Sequence, residues 1–234
     1  MIELERVRGV IFDLDGTLLD SMHMWREIDK AYLVRHGQTL PEDLQQCIAG
    51  LSVTDTARFF KQRFGLADST DEISADWNAM AREEYLYHLP LKPGAEALVR
   101  SFAGRGFKLG IATTNYRNLT EGCLARHGLL DLFSAVVTSA DICRGKPDPE
   151  IFLKAAELMG IAPEACLVFE DMPEGILAGK RAGMQTVAIY DAASQTRDEE
   201  KRSLADDYAE SPEAWQKNNL ITAIRISEEE NVNL

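Results

Sequence analysis

The chain's architecture is read most directly from Gly9-Val10-Ile11-Phe12-Asp13-Leu14-Asp15-Gly16-Thr17. A short apolar run ends in two acidic residues placed two positions apart. Side chains at i and i+2 of a strand share a face, so Asp13 and Asp15 reach one centre if the strand geometry persists. A sharp turn at Gly16 would re-aim the second carboxylate. Paired carboxylates at a strand exit suit phosphate chemistry with a metal. Asp-Gly is also an ordinary turn signal that closes strands, so the stretch needs support from elsewhere in the chain.

Working outward, residues 7–12, 108–113, 135–138, 166–169 and 185–190 form short aliphatic runs without strict alternation, the pattern of strands buried on both faces. Helical spacing separates them: Ala95, Leu98, Val99 and Phe102 follow i, i+3, i+4, i+7, and Ile151, Phe152, Ala155, Ala156 and Met159 do much the same. Alternating strands and helices imply an α/β fold with a parallel sheet covered on both sides. Lys92-Pro93-Gly94 and Lys146-Pro147-Asp148-Pro149 read as helix entries, with proline near the first turn.

The gap between the first and second strands is too long for a simple crossover and reads as mostly helical over 24–36, 54–64 and 74–87. The expected organisation is a core of residues 1–18 and 91–226, an inserted helical domain of 19–90, and a flexible tail of 227–234. Ligands of open parallel sheets bind beyond the carboxyl ends of the strands, so the insert is expected to lie over Asp13 and Asp15 as a lid. From Ala192 onward the chain turns polar and charged, and a solvated surface segment is expected.

With 234 residues, 45% of them hydrophobic, the chain can bury a sizeable core. Its 25 Lys and Arg against 38 Asp and Glu leave a formal charge of −13, which disfavours nucleic acid or an anionic membrane as partner. Neither a leader peptide nor a membrane span is evident, so the cytoplasm is the expected compartment. Cys47, Cys123, Cys143 and Cys166 are scattered, without a Cys-x-x-Cys pair, and read as reduced thiols, each a small buried residue. A monomer or weak homo-oligomer is the simplest assembly.

Four motifs follow in order: Asp13-Leu14-Asp15-Gly16-Thr17; Thr113 closing Leu109-Gly110-Ile111-Ala112; Lys146 in Gly145-Lys146-Pro147-Asp148-Pro149; and Glu170-Asp171 after Leu167-Val168-Phe169. Together they resemble the haloacid dehalogenase superfamily, in its phosphatase branch with a small helical cap, similar to β-phosphoglucomutase and phosphoglycolate phosphatase. The likeness runs from about residue 7 to residue 190. It implies a Rossmann-like core, with Asp13 as nucleophile carrying an aspartyl-phosphate and Asp15 as general acid, then base. It also implies Thr113 and Lys146 as phosphate-stabilising donors. Clustered carboxylates would repel a phosphate dianion, and a divalent ion resolves that conflict. By the same likeness Mg²⁺ is held by Asp13, the backbone carbonyl of Asp15 and Asp171, with Glu170 orienting its waters from outside.

Other features receive plainer readings. Gly175, Gly179 and Gly183 recur on one helical face and indicate close packing against the sheet. Gly104-Arg105-Gly106 lacks dinucleotide spacing and precedes a strand. His36, His88 and His127 are dispersed, whereas His23 and Trp25 follow the first motif closely enough to touch a substrate, and Asn115 follows Thr113. Met172 is bulkier than the small residue many relatives carry beside the metal shell.

The resemblance implies a Mg²⁺-dependent hydrolase of a small phosphomonoester, of a sugar, polyol, organic acid or nucleoside. Two alternatives stand beside it, a sugar phosphomutase and a non-catalytic binding module. Against the mutase, its phosphate-gripping cap arginine aligns with Val53 and its histidine after the first motif with Trp25. Against the module, the motif residues are intact.

Overall fold

Period-two alternation sorts the strand side chains onto two cores. Val10, Phe12, Leu167 and Phe169 point to one, and Ile11, Ala112 and Val168 to the other. The computed structural model describes residues 2–221. Five strands fall on the apolar runs: β1 (Gly9–Phe12), β2 (Lys108–Ala112), β3 (Phe133–Val137), β4 (Cys166–Glu170) and β5 (Gln185–Ile189). With β6 (Asp207–Ala209) they make a parallel sheet in the order β3-β2-β1-β4-β5-β6. The order reverses between β1 and β4, and crevices for ligands open at such switch points.

Four helices, α1 (Met22–Arg35), α2 (Leu44–Ile48), α3 (Val53–Phe64) and α4 (Thr70–Glu83), and a π-helical turn at Glu84–His88 occupy the interval between β1 and β2. Ser52 caps α3 by accepting from the Asp55 N–H, and Ser69 forms a capping box with Glu72 at the start of α4. Tyr32 and Phe60 pack edge-on against Trp77, with ring centroids 5.8 and 4.8 Å away. The ends of the interval meet: Leu19 bridges to Leu91, and the Lys92 N–H donates to the Leu18 carbonyl at 2.8 Å.

The remaining helices are α5 (Ala95–Gly104), α6 (Arg117–Arg126), α7 (Glu150–Met159), α8 (Pro173–Arg181), α9 (Asp198–Leu204) and α10 (Pro212–Gln216). The periodic faces of α5 and α7 bury Leu98 and Phe102 against one side of the sheet and Phe152 and Ala155 against the other. No helix among the described residues is long and apolar enough to cross a membrane.

Three expectations are corrected. The segment from Ala192 onward is no solvated strand of surface chain: it contributes β6 and two helices and buries Ser194, Lys201 and Trp215. Trp215 packs on Phe169 at 4.9 Å, so one large anchor outweighs many charged neighbours whose side chains face water. Cys123 and Cys166 are buried, but Cys47 and Cys143 are exposed. A Cβ at Gly179 would press on Thr186 and Val168, whereas Gly183 lies beyond the end of α8 with φ +80° and nothing within 4 Å. Its role is a left-handed turn, and it makes no packing contact. The expected tail 227–234 lies outside the described residues.

Candidate active site

Parallel pairing carries the four motifs to one edge. Phe12 is in register with Phe169 and with Ile111, so Asp13 emerges beside Glu170, and its N–H donates to the Phe169 carbonyl at 3.0 Å. Lys146, from the loop after β3, donates to Asp13 Oδ1 at 2.8 Å and to Glu170 Oε1 at 2.5 Å. Its side chain is 5% exposed. Oxygens of Asp13, Glu170 and Asp171 all lie within 4.8 Å of one another.

Such crowding has a plain electrostatic signature. Burial pushes the Asp13, Glu170 and Asp171 carboxyls up, Glu170 to about 7. Burial opposes the charge on Lys146, but Asp13 and Glu170 outweigh it and hold the ammonium above its ordinary value. Three carboxylates against one ammonium leave a deficit of positive charge that a divalent cation would meet. The donor set fits one: it is all oxygen, which suits a hard cation, and Asp171 Oδ2 is buried without a hydrogen-bond partner. Glu170 is already engaged at both oxygens, by Lys146 and by the Met172 N–H at 2.8 Å.

Gly16, at φ +80°, turns the chain immediately after Asp15. The two aspartates therefore hold separate partners. Asp15 Oδ1 accepts from Ser21 Oγ at 2.5 Å, from Tyr85 Oη, and from Trp25 Nε1 at 3.4 Å, while Asn115 Nδ2 donates to Oδ2 at 2.7 Å. Burial and the Asp15 charge raise the Tyr85 phenol well above its ordinary value, which keeps it a donor. Tyr85 sits in the π-helical turn, a distortion often found at functional sites.

Two further clamps hold the loops. Lys92 Nζ donates to the carbonyls of Gly16 at 2.5 Å and Tyr190 at 2.7 Å, and pairs with Asp191 at 2.8 Å. Ser194 Oγ donates to the Asp171 carbonyl at 3.0 Å and accepts from the buried Lys201 Nζ, also at 3.0 Å.

Of the residues singled out from sequence, Asp13, Asp15, Asn115, Trp25, Lys146, Glu170 and Asp171 line a single cavity of about 230 Å³ between the sheet edge and the inserted helices. Thr113 is buried behind it, its Oγ1 accepting the Asn115 N–H at 3.2 Å. His23 is not brought to it: its side chain is 70% exposed and it lies outside this cavity. Met22, Trp25 and Asp29 take the inner face of α1, and one residue past Met22 is about 100° around the helix. Tyr85, Ser21, Lys92, Ser194 and Lys201 also hold the site, a role that the sequence reading does not assign to them. Ser21, just before a helix, carried a capping signal; the others had none, because tertiary packing and not a local pattern fixes their contacts.

Residues 10–189 match the family model for haloacid dehalogenase-like hydrolases. The chain is 34% identical over 194 residues to a probable pseudouridine-5'-phosphatase of Drosophila melanogaster, covering 80% of this chain and 84% of the relative. It is 35% identical over 191 residues to a fructose-1-phosphate phosphatase of Escherichia coli, covering 79% and 97%. A crystal structure of a hydrolase from Pseudomonas syringae superposes with a TM-score of 0.76 at 26% identity, covering 92% of this chain and 98% of that one. The strand-exit carboxylates, the lysine that bridges them and a match running from β1 through β5 lead to one assignment: the chain belongs to the haloacid dehalogenase-like hydrolase family.

Proposed function

We propose that this enzyme is a Mg²⁺-dependent phosphatase of small phosphomonoesters, working through an aspartyl-phosphate on Asp13. The observation that carries the reading is the buried cluster of Asp13, Glu170 and Asp171, in which one lysine joins Asp13 to Glu170, with Asp15 held apart on its own donors. Mg²⁺, held by Asp13, Asp171 and the Asp15 carbonyl, would supply charge neutralisation for the approaching phosphate. Glu170, with both oxygens engaged, would act from outside that shell.

In the first step an Asp13 carboxylate oxygen attacks phosphorus and the bond to the leaving oxygen breaks, while Asp15 gives that oxygen its proton. In the second, Asp15 takes a proton from a water that attacks the phosphoaspartate, and phosphate leaves with Asp13 restored. Lys146 and the Thr113 hydroxyl steady the charge spread over the phosphoryl oxygens.

The inserted helices serve as the lid. A Cβ at Gly50 would lie 3.0 Å from the Lys146 carbonyl, and one at Gly145 only 2.9 Å from the Ser52 nitrogen, so insert and catalytic loop meet without room for a side chain. Val53 lines the cavity where the mutase likeness calls for an arginine, which supports hydrolysis over phosphoryl transfer between sugar positions. The four free cysteines suit a reducing compartment, and we place the enzyme in the cytoplasm.

Phosphate release from a panel of small esters, with Mg²⁺ and then with chelator, tests the reading. Release that the chelator abolishes and Mg²⁺ restores is expected. Release untouched by chelator overturns the metal, and conversion of a hexose 1-phosphate to its 6-phosphate without free phosphate overturns the hydrolase.

A further inference from the structure

The insert contributes much of the cavity lining. Asp29 of α1, Gln45 and Gln46 of α2 and Thr56 of α3 supply polar groups, with Trp25 and Trp77 as aromatic ones. Asp29 is the unusual member. Its residue is 6% exposed, Oδ2 accepts from Gln45 Nε2 at 2.8 Å, and no ion pair among the described residues involves it. Burial lifts this carboxyl to about 7. A desolvated carboxyl with a neutral amide as its partner is costly unless something else satisfies it.

The cationic residues lining the cavity are Lys146 and Arg197. Lys146 is spent on Asp13 and Glu170. Arg197 is held by Glu174 at 2.7 Å and Glu200 at 2.8 Å. A second phosphate or a carboxylate on the substrate would therefore meet a buried acid and no available cation. A hydroxyl, which donates and accepts, matches Asp29 together with the Gln45, Gln46 and Thr56 side chains.

We infer that Asp29 and its neighbours form a leaving-group subsite for an uncharged, hydroxyl-bearing residue, so the substrates are phosphomonoesters of polyols or sugars, and esters carrying a second anion are rejected. This rests on the phosphatase reading and narrows it. The acid acts in two ways: it accepts a substrate hydroxyl, and it repels carboxylate-bearing or bisphosphorylated competitors.

The test measures kcat/KM with Mg²⁺ for sorbitol 6-phosphate and ribose 5-phosphate, for 3-phosphoglycerate and fructose 1,6-bisphosphate, for phosphoethanolamine, and for p-nitrophenyl phosphate as a reporter of the chemical step. The unaltered enzyme is expected to favour the first pair over the anionic pair by about 100-fold. Asp29→Ala is expected to lower the ratio of polyol ester to p-nitrophenyl phosphate by about 10–100-fold, chiefly through KM, the range for a lost hydrogen bond to a charged group. Asp29→Asn keeps size and acceptor while removing charge, so it covers the case in which the alanine variant does not fold. It is expected to raise turnover of the anionic pair relative to the polyol esters by about 10-fold.

Anionic esters used as well as polyol esters, phosphoethanolamine preferred, or Asp29 variants that leave these ratios unchanged would each overturn the subsite while leaving the phosphatase standing. Release from none of the esters, p-nitrophenyl phosphate included, overturns the phosphatase reading and the subsite with it.

Discussion

Gly16 stands so close to Asp171 that a Cβ at position 16 would lie 2.4 Å from its Oδ2. The loop leaving β1 and the residue leaving β4 thus share one small space, and Gly16 also holds φ +80°. Gly16→Ala must displace the Asp171 carboxylate and strain the turn, by about 1–2 kcal/mol for the turn alone. Loss of at least about 100-fold in phosphate release and a lower melting temperature are expected. Activity and thermal unfolding of the variant check both.

Lys146 is the cation that holds Asp13 and Glu170 together. Lys146→Met should lower kcat by about 10²–10³-fold and, without divalent ion, cost on the order of 3 kcal/mol by leaving buried carboxylates uncompensated. Added Mg²⁺ should therefore raise the melting temperature of this variant more than that of the unaltered protein. Equal stabilisation of both would count against Lys146 as the charge partner.

Tyr85 from the insert and Asn115 from the loop after β2 both donate to Asp15, and Asn115 Nδ2 also donates to Tyr85 Oη at 2.6 Å. Tyr85→Phe removes a donor to a carboxylate, an interaction of about 1.5–3 kcal/mol. The expected result is a fall of about 10–100-fold in kcat with a smaller change in KM, since Tyr85 positions the acid and is not expected to bind phosphate. Steady-state kinetics on one ester separate the two.

Ser194 links the buried Lys201 to the main-chain carbonyl of Asp171. Outer hydrogen bonds of this kind commonly change metal affinity by about 10–100-fold. Ser194→Ala should weaken Mg²⁺ binding by about 10-fold, measured by calorimetric titration, with little loss of kcat at saturating metal.

Burial raises the Asp29 carboxyl from its ordinary 3.8 to about 7. Between those values the folded chain keeps a proton that the unfolded chain has released, so this group costs stability as pH rises from about 4, and costs it fully above 7. A tenfold difference in proton affinity between the two states corresponds to about 1.4 kcal/mol. Asp29→Asn should therefore raise the melting temperature more at pH 8 than at pH 5, which paired thermal melts would measure.

Much of the scaffold was legible because its signals are local. Five aliphatic runs became strands within a few residues of their expected limits, and the periodic faces of 95–102 and 151–159 became buried helix faces. The motif residues Asp13, Asp15, Lys146, Glu170 and Asp171 stand at strand exits or in the loops after them and line one cavity. Charge-rich composition concealed β6 and the Trp215 anchor, since an average over a segment is blind to the one side chain that packs.

The strand-exit carboxylates, the turn at Gly16 and the family are legible in the amino-acid order, because apolar period, turn chemistry and motif spacing act over a few residues. It takes the folded chain to show that Tyr85 bonds to Asp15 across 70 positions, that Lys146 joins Asp13 across 133, and that Asp29 faces the cavity while His23 does not. Periodicity tells which face of its own element a residue occupies. What that face meets is set by strand order and helix packing, which bring together residues that no local pattern connects.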